Sequence, residues 1–274
     1  LASDGNSGAA EYISSDAVFA FSASTREPRQ LFEEFTAQMA KIEPNFPEKL
    51  REMETRLGIH VADDIAGAIG TDFAVAIERP TVPVPGWVAV MTVYNPSRLD
   101  ATIRRLVDAF NGHLKPEDQN KRLVVEQETV DGRVWNRLQP AATMIGVTWT
   151  YDRGYLVAGA DRALAARAIA TREGGFPLIG SAAFRLQLPA SAGLHPSGFA
   201  WLNTRGALEG LAALVPNAPL KNLLSDRDPV VVILDGEAEQ IRVSSRTRLT
   251  SLILDVMMAD AAAGAGGRAR PNPK

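Results

Sequence analysis

A chain of 274 residues, 46% hydrophobic and 22% charged, is large enough to bury a core without a metal or disulfide. It contains no cysteine, which excludes disulfides, thiolate catalysis and zinc sites built on sulfur. Its 29 Lys and Arg against 32 Asp and Glu leave a formal net charge of -3, with no concentrated basic surface to hold nucleic acid. No apolar run approaches the roughly 20 residues of a membrane-spanning helix, so any membrane attachment would need a segment outside this chain.

Residues 1–14, rich in Ser, Gly and Ala, read as a loose lead-in, and Leu1 follows neither an initiator methionine nor a secretory pattern, as in a mature product or a fragment. An α+β body is expected over 15–260. Val18 to Ser24 predicts a strand running into a helix from Pro28 to Ile42, with Leu31, Phe32, Phe35, Met39 and Ile42 on one stripe. A second helix, Phe46 to Leu57, should stop at Gly58 in a left-handed cap, followed by a short helical segment from Ala62 to Ile69 and a strand from Asp72 to Glu78.

Three prolines stiffen the connection from Arg79 to Gly86. Trp87 to Val93 is apolar on both faces, as in a strand within a covered sheet. Asn95 and Pro96 open a helix to Phe110 whose inward side carries Leu99, Ile103, Leu106, Val107 and Phe110, and a polar surface loop covers His113 to Lys121. From Arg122 to Gly159 the turn signals Asp131-Gly132 and Asp152-Arg153-Gly154 separate alternating runs, predicting a four-stranded antiparallel meander. Its third strand puts Ile145, Val147, Trp149 and Tyr151 on one face and Thr148 and Thr150 on the other.

Asp161 caps a helix from Arg162 to Ala170, and Phe176 to Leu188 reads as a loop with one helical turn. Pro189 to Ser197 is a further loop before a strand, Phe199 to Leu202. Asn203 or Thr204 then caps a helix from Arg205 to Val215. A hairpin pairs Pro229 to Leu234 with Gln240 to Ser245 around Asp235-Gly236, Thr250 to Asp260 reads as a last helix, and 261–274 reads as a disordered tail. The order strand, helix, strand pair, helix thus occurs over 18–110 and again, compressed, over 199–260. A degenerate internal duplication would leave this trace, and one continuous domain without repeat history accounts for it equally. The fold class expected is α+β, a mainly antiparallel sheet with helices packed on one side, dividing into two lobes near 112–142 if at all.

His60, Asp63 and Asp64 form the compact group of histidine and carboxylates. Their place at a helix start favours capping over an acid/base pair. His113 and His195 lie far apart in loops, so no metal site and no cofactor are expected. There is no Gly-x-Ser-x-Gly elbow; Ser181 or Ser191 would need a base assembled from distant residues. The arginines 98, 104, 105, 162, 167 and 172 alternate with acids, as on solvated helix exteriors. Trp135, Trp149, Tyr151 and Tyr155 crowd the meander and are the candidate ligand-binding residues, a platform if stacked on a ligand and core if turned inward.

The run Leu57-Gly58-Ile59, Asp63-Asp64-Ile65 and Ile69-Gly70-Thr71-Asp72-Phe73-Ala74-Val75-Ala76 resembles a bacterial family catalogued as a domain of unknown function, number thirty-three fifty-two. The likeness extends through Asn95-Pro96, Asp131-Gly132, Tyr155 to Ala158, Asp161 to Ile169, Ser181 to Arg185 and Leu188-Pro189, spanning most of 12–245. It implies an exported or membrane-tethered protein of the periplasm or cell envelope, and it brings no catalytic residues. The expectation is a non-enzymatic extracytoplasmic binding or scaffold module for an unknown protein or apolar ligand. The alternative is a hydrolase with a dispersed Ser/His/carboxylate site.

Overall fold

The structure is a computed structural model that describes residues 8–79, 84–143, 145–190, 196–207, 228–236 and 241–246. In chain order it runs β1 (Phe19–Ser24), α1 (Pro28–Ile42), α2 (Phe46–Leu57), β2 (Ile69–Arg79), β3 (Gly86–Val93), α3 (Pro96–Gly112), β4 (Leu123–Val130), β5 (Arg133–Pro140), β6 (Val147–Asp152), β7 (Tyr155–Gly159), α4 (Arg162–Gly174), α5 (Ala182–Leu186), β8 (Gly198–Leu202), β9 (Val230–Gly236) and β10 (Ile241–Ser245). Ten strands form one sheet in the order β10-β9-β8-β1-β2-β3-β7-β6-β5-β4, and every neighbouring pair is antiparallel. The fold is α+β.

Local chemistry sets the boundaries. Asn95 accepts from the Arg98 amide at 3.0 Å and Asp161 from the Leu164 amide at 2.8 Å, each satisfying an orphan donor at a helix start. Asn203 caps likewise, accepting from the Gly206 amide at 3.2 Å. Gly58 closes α2 with φ 65. Both tight hairpins take two residues at positive φ, Asp131 (52) with Gly132 (75) and Arg153 (47) with Gly154 (84), the turn whose twist matches that of the flanking strands.

The meander β4 to β7 forms as its turn residues require, and it is continuous with the rest of the sheet because β7 pairs with β3 from Val88↔Gly159 to Thr92↔Tyr155. The strand triplets β1-β2-β3 and β8-β9-β10 spread in opposite directions from the β1-β8 pair.

Helices cover both faces of the sheet, not one. On the first face Val88, Val90 and Val157 pack with Leu164, Ala165 and Ala168 of α4; on the second Val93, Leu156 and Ala158 pack with Leu99 of α3. The cause is legible in β3, where alternate residues enter different cores, so a one-sided cover would leave half of an apolar strand wet.

Residues 8–14 are not a loose lead-in. Gly8–Tyr12 forms a 3-10 turn, and Ala9, Ala10, Tyr12 and Ile13 are among the most buried residues of the first-face core. Small side chains let this segment lie flat on the sheet. In α1, by contrast, no residue of the predicted stripe is buried, and Phe35 and Ile42 are exposed.

Other boundaries differ from expectation. The segment after α2 is a single π-helical turn, Val61–Ala66, and Ile69 already belongs to β2. Pro116–Lys121 makes a 3-10 turn within the predicted loop, and Leu178–Gly180 another before α5. Ile145 lies before β6. Asp235-Gly236 is the end of β9, not a turn, since Gly236 pairs with Ile241. The predicted helices Arg205 to Val215, beyond its start, and Thr250 to Asp260, with the tail 261–274, lie outside the described residues.

Candidate binding cleft

The four candidate aromatics separate onto opposite faces of the sheet. Asn136 pairs with Trp149, so Trp135 one residue earlier faces the other way; Asp152 pairs with Tyr155, which therefore faces away from Tyr151. Trp149 and Tyr151 turn to the second face, where the Trp149 indole donates to Asp100 Oδ1 at 3.2 Å and the Tyr151 hydroxyl to the same oxygen at 2.7 Å. They tie the meander to α3. Burial raises the Tyr151 phenol well above its ordinary pKa, with Asp100 adding to the shift.

Tyr155 belongs to a buried polar network beneath the N-terminal segment. Its hydroxyl donates to Asp72 Oδ2 at 3.0 Å, which also accepts from the Ala9 amide at 2.8 Å. The Tyr12 hydroxyl donates to Asp152 Oδ2 at 2.9 Å and accepts from Arg172 at 2.5 Å, while the guanidinium lies 4.8 Å and 5.0 Å from the Tyr12 and Tyr155 ring centroids. Burial raises both phenols. These groups are neutral donors that anchor residues 8–14, and Arg172, expected on a solvated exterior, is one of their clamps.

Trp135 lies at a cavity. An open cleft of about 960 Å³ runs between the first face of β4, β5 and β6 and the start of α4, lined by Glu126, Glu128, Asp131, Trp135, Arg137, Thr148, Asp161 and Arg162 among others. Alternation along β4 and β5 aims Glu126, Glu128 and Arg137 into it, with Glu128 opposite Trp135 and Glu126 opposite Arg137. Trp135 is 5% exposed and forms a largely buried base. Thr148 is 6% exposed, and its hydroxyl forms no hydrogen bond with another described residue. Arg162 bridges to Glu128 at 2.7 Å across the cleft mouth, both side chains half exposed. Four carboxylates face two guanidiniums in the lining, and with Asp161 also 3.6 Å from Arg79 a slight acidic excess remains.

The remaining sequence candidates hold structure. The Asp64 carboxylate accepts from the His60 amide at 2.9 Å and from Arg98 Nε at 3.0 Å, with Arg105 at 3.6 Å. The His60 amide first, and then the two guanidiniums, hold its pKa below the usual carboxylate range against the effect of burial. Asp63 pairs with Arg29 at 2.9 Å. The His60 ring is exposed, 3.8 Å from Glu54. His113 Nδ1 donates to the Ala109 carbonyl at 2.6 Å near the end of α3. Ser181 caps α5, accepting from the Phe184 amide at 3.1 Å, and Ser191 and His195 lie outside the described residues. Among the described residues no group of His and carboxylates is arranged to hold a metal ion.

No protein-family profile matches the chain, and no curated protein does. The chain is similar to a solved structure entitled "Structure of crystal form I of TP0453", with 8% identity over 91% of this chain and 84% of that one and a TM-score of 0.40. A likeness this distant bears on neither site nor activity.

Proposed function

We propose that this chain is a non-enzymatic, extracytoplasmic binding module that receives a partner protein in the cleft between β4, β5, β6 and α4. The single observation carrying this reading is the lining itself: a buried tryptophan at the base, a threonine hydroxyl with no partner among the described residues and an acidic rim, with no histidine, serine or lysine beside them. Such a site offers apolar contact and charge complementarity, and its one hydroxyl, on Thr148, has no histidine or lysine beside it to activate it. Its polar rim suits a polypeptide better than a purely apolar ligand. The extracytoplasmic placement rests on the resemblance described above.

The test is the Trp135 indole N–H resonance, assigned by Trp135→Phe, recorded while the protein is titrated with a lysine-rich peptide, a glutamate-rich peptide and decanoate. Saturable movement of that resonance with a peptide is expected. If none of the three moves it, or if the protein hydrolyses p-nitrophenyl acetate faster than its Trp135→Phe variant, the binding reading fails.

A further inference from the structure

β4 ends the sheet. Arg122 and Ala141 share a ladder bond, the Ala141 amide donating to the Arg122 carbonyl at 2.7 Å, so the ladder toward β5 uses the even positions of β4. The odd positions Leu123, Val125, Gln127 and Thr129 turn their backbone groups outward. The first is satisfied from outside the sheet: Asn111 of α3 accepts from the Leu123 amide at 2.8 Å and donates to its carbonyl at 2.8 Å, imitating one residue of a neighbouring strand. The other three have no such cover among the described residues. Leu123–Val130 contains no proline, lysine or bulge, its register with β5 is unbroken over eight pairs, and its edge charges are Glu126 and Glu128.

We propose that β4 is a docking edge that takes up an extended, basic segment of a partner protein as an eleventh strand, a claim resting on the binding reading of the cleft. The backbone of Val125, Gln127 and Thr129 supplies the ladder bonds. Side chains of the added strand at positions facing Glu126 and Glu128 fall on the cleft side, one strand away from Trp135 and Arg137. Cationic residues at alternate positions meet the acidic rim there.

The charges disfavour a second copy of this chain pairing through its own β4. Two β4 strands paired antiparallel about Gln127 would place Glu126 of each directly opposite Glu128 of the other, and a shift of one pair either way sets Glu126 or Glu128 against itself. Like charges directly opposed destabilise a strand pair. The two glutamates therefore act against self-association while favouring a basic partner.

The experiment measures binding of an acetylated, amidated heptapeptide alternating threonine with lysine, by the Trp135 indole resonance and by calorimetry. Controls are the same peptide with glutamate for lysine and a version N-methylated at alternate residues, which cannot complete the ladder. Binding of the lysine peptide, weakened about tenfold by N-methylation or by Thr129→Pro, which removes an outward donor, and by Glu126→Lys with Glu128→Lys, is the expected result. Thr129→Pro spares the β5 ladder, and the methylated peptide gives the same information should that variant not fold.

If the charge reversals weaken binding but Thr129→Pro and N-methylation do not, strand addition is overturned while the binding reading stands. Strand addition is likewise overturned if the lysine peptide fails to bind and another ligand moves Trp135. Concentration-dependent dimerisation through β4, abolished by Thr129→Pro, overturns the choice of occupant. Failure of every ligand to move Trp135 removes the binding reading too.

Discussion

Glu78 on β2 carries a carboxylate whose side chain is 0% exposed, with Arg167 Nη1 as its nearest cation at 3.7 Å. Neither oxygen has a well-directed hydrogen bond among the described residues. Burial raises its pKa above the usual carboxylate value, and the opposing pulls of Arg167 and of the Ser14 backbone do not offset this. A carboxyl with a raised folded-state pKa is held more favourably when protonated. The stability it contributes below its unfolded pKa is lost as pH rises through the folded value, and above that the ionised group is a standing cost.

Glu78→Met removes the charge at similar volume, while Arg167 keeps Asp16 at 2.5 Å and the Ser14 hydroxyl at 3.2 Å. Removing a buried carboxylate whose half-exposed cation keeps another partner stabilises by about 1–3 kcal/mol at neutral pH. That is roughly 2–4 °C in Tm per kcal/mol for a chain of this size. Urea unfolding followed by circular dichroism, at about pH 7.5 and about pH 4, should show the gain at the first and most of it gone at the second. A variant less stable than the parent at neutral pH, or an equal gain at both, would refute the reasoning.

Asn111→Ala should cost about 1–2 kcal/mol, because it strands the Leu123 amide and carbonyl, and amide exchange at Leu123 should accelerate in the same variant. Asp64→Ala removes the acceptor shared by the His60 amide, Arg98 and Arg105. A loss of about 1–3 kcal/mol is expected, since the half-exposed guanidiniums can rehydrate. Asp64 has a lowered pKa, so its contribution is present above the ordinary carboxylate range and fades as pH falls through the lower folded value. The gap in urea midpoint between parent and variant should therefore narrow in acid. Gly132→Ala, at φ 75, should cost about 1 kcal/mol with the register of β4 and β5 kept, checked by thermal unfolding.

Caps and turn residues make much of this fold readable. Asn95, Asp161, Gly58 and the Asp131-Gly132 pair act over a few bonds, so the sequence contains their whole cause. Residues 8–14 mislead because Ser, Gly and Ala read as loop by composition, whereas their smallness is what lets them lie against the sheet. Asp235-Gly236 misleads because a turn dipeptide can also end a strand, and only cross-strand pairing decides which.

At the site, alternation places Trp149 with Tyr151 on one face, as found. Putting Trp135 and Tyr155 on the opposite face requires the registers Asn136↔Trp149 and Asp152↔Tyr155. The second of these is within reach of the sequence, since a two-residue turn at Arg153-Gly154 fixes it. Glu126, Glu128 and Arg137 carry no local signal at all. On a half-exposed strand they look like ordinary solvated charges until the strand order places β4 at the end of the sheet, and that order is a long-range property no local pattern carries.

Amide hydrogen exchange along β4, with and without the lysine heptapeptide, tests the docking edge most directly. Slower exchange at Val125, Gln127 and Thr129 on adding peptide, with the β10 amides unchanged, is the predicted result. Unchanged exchange at those three positions while the peptide is bound would contradict it.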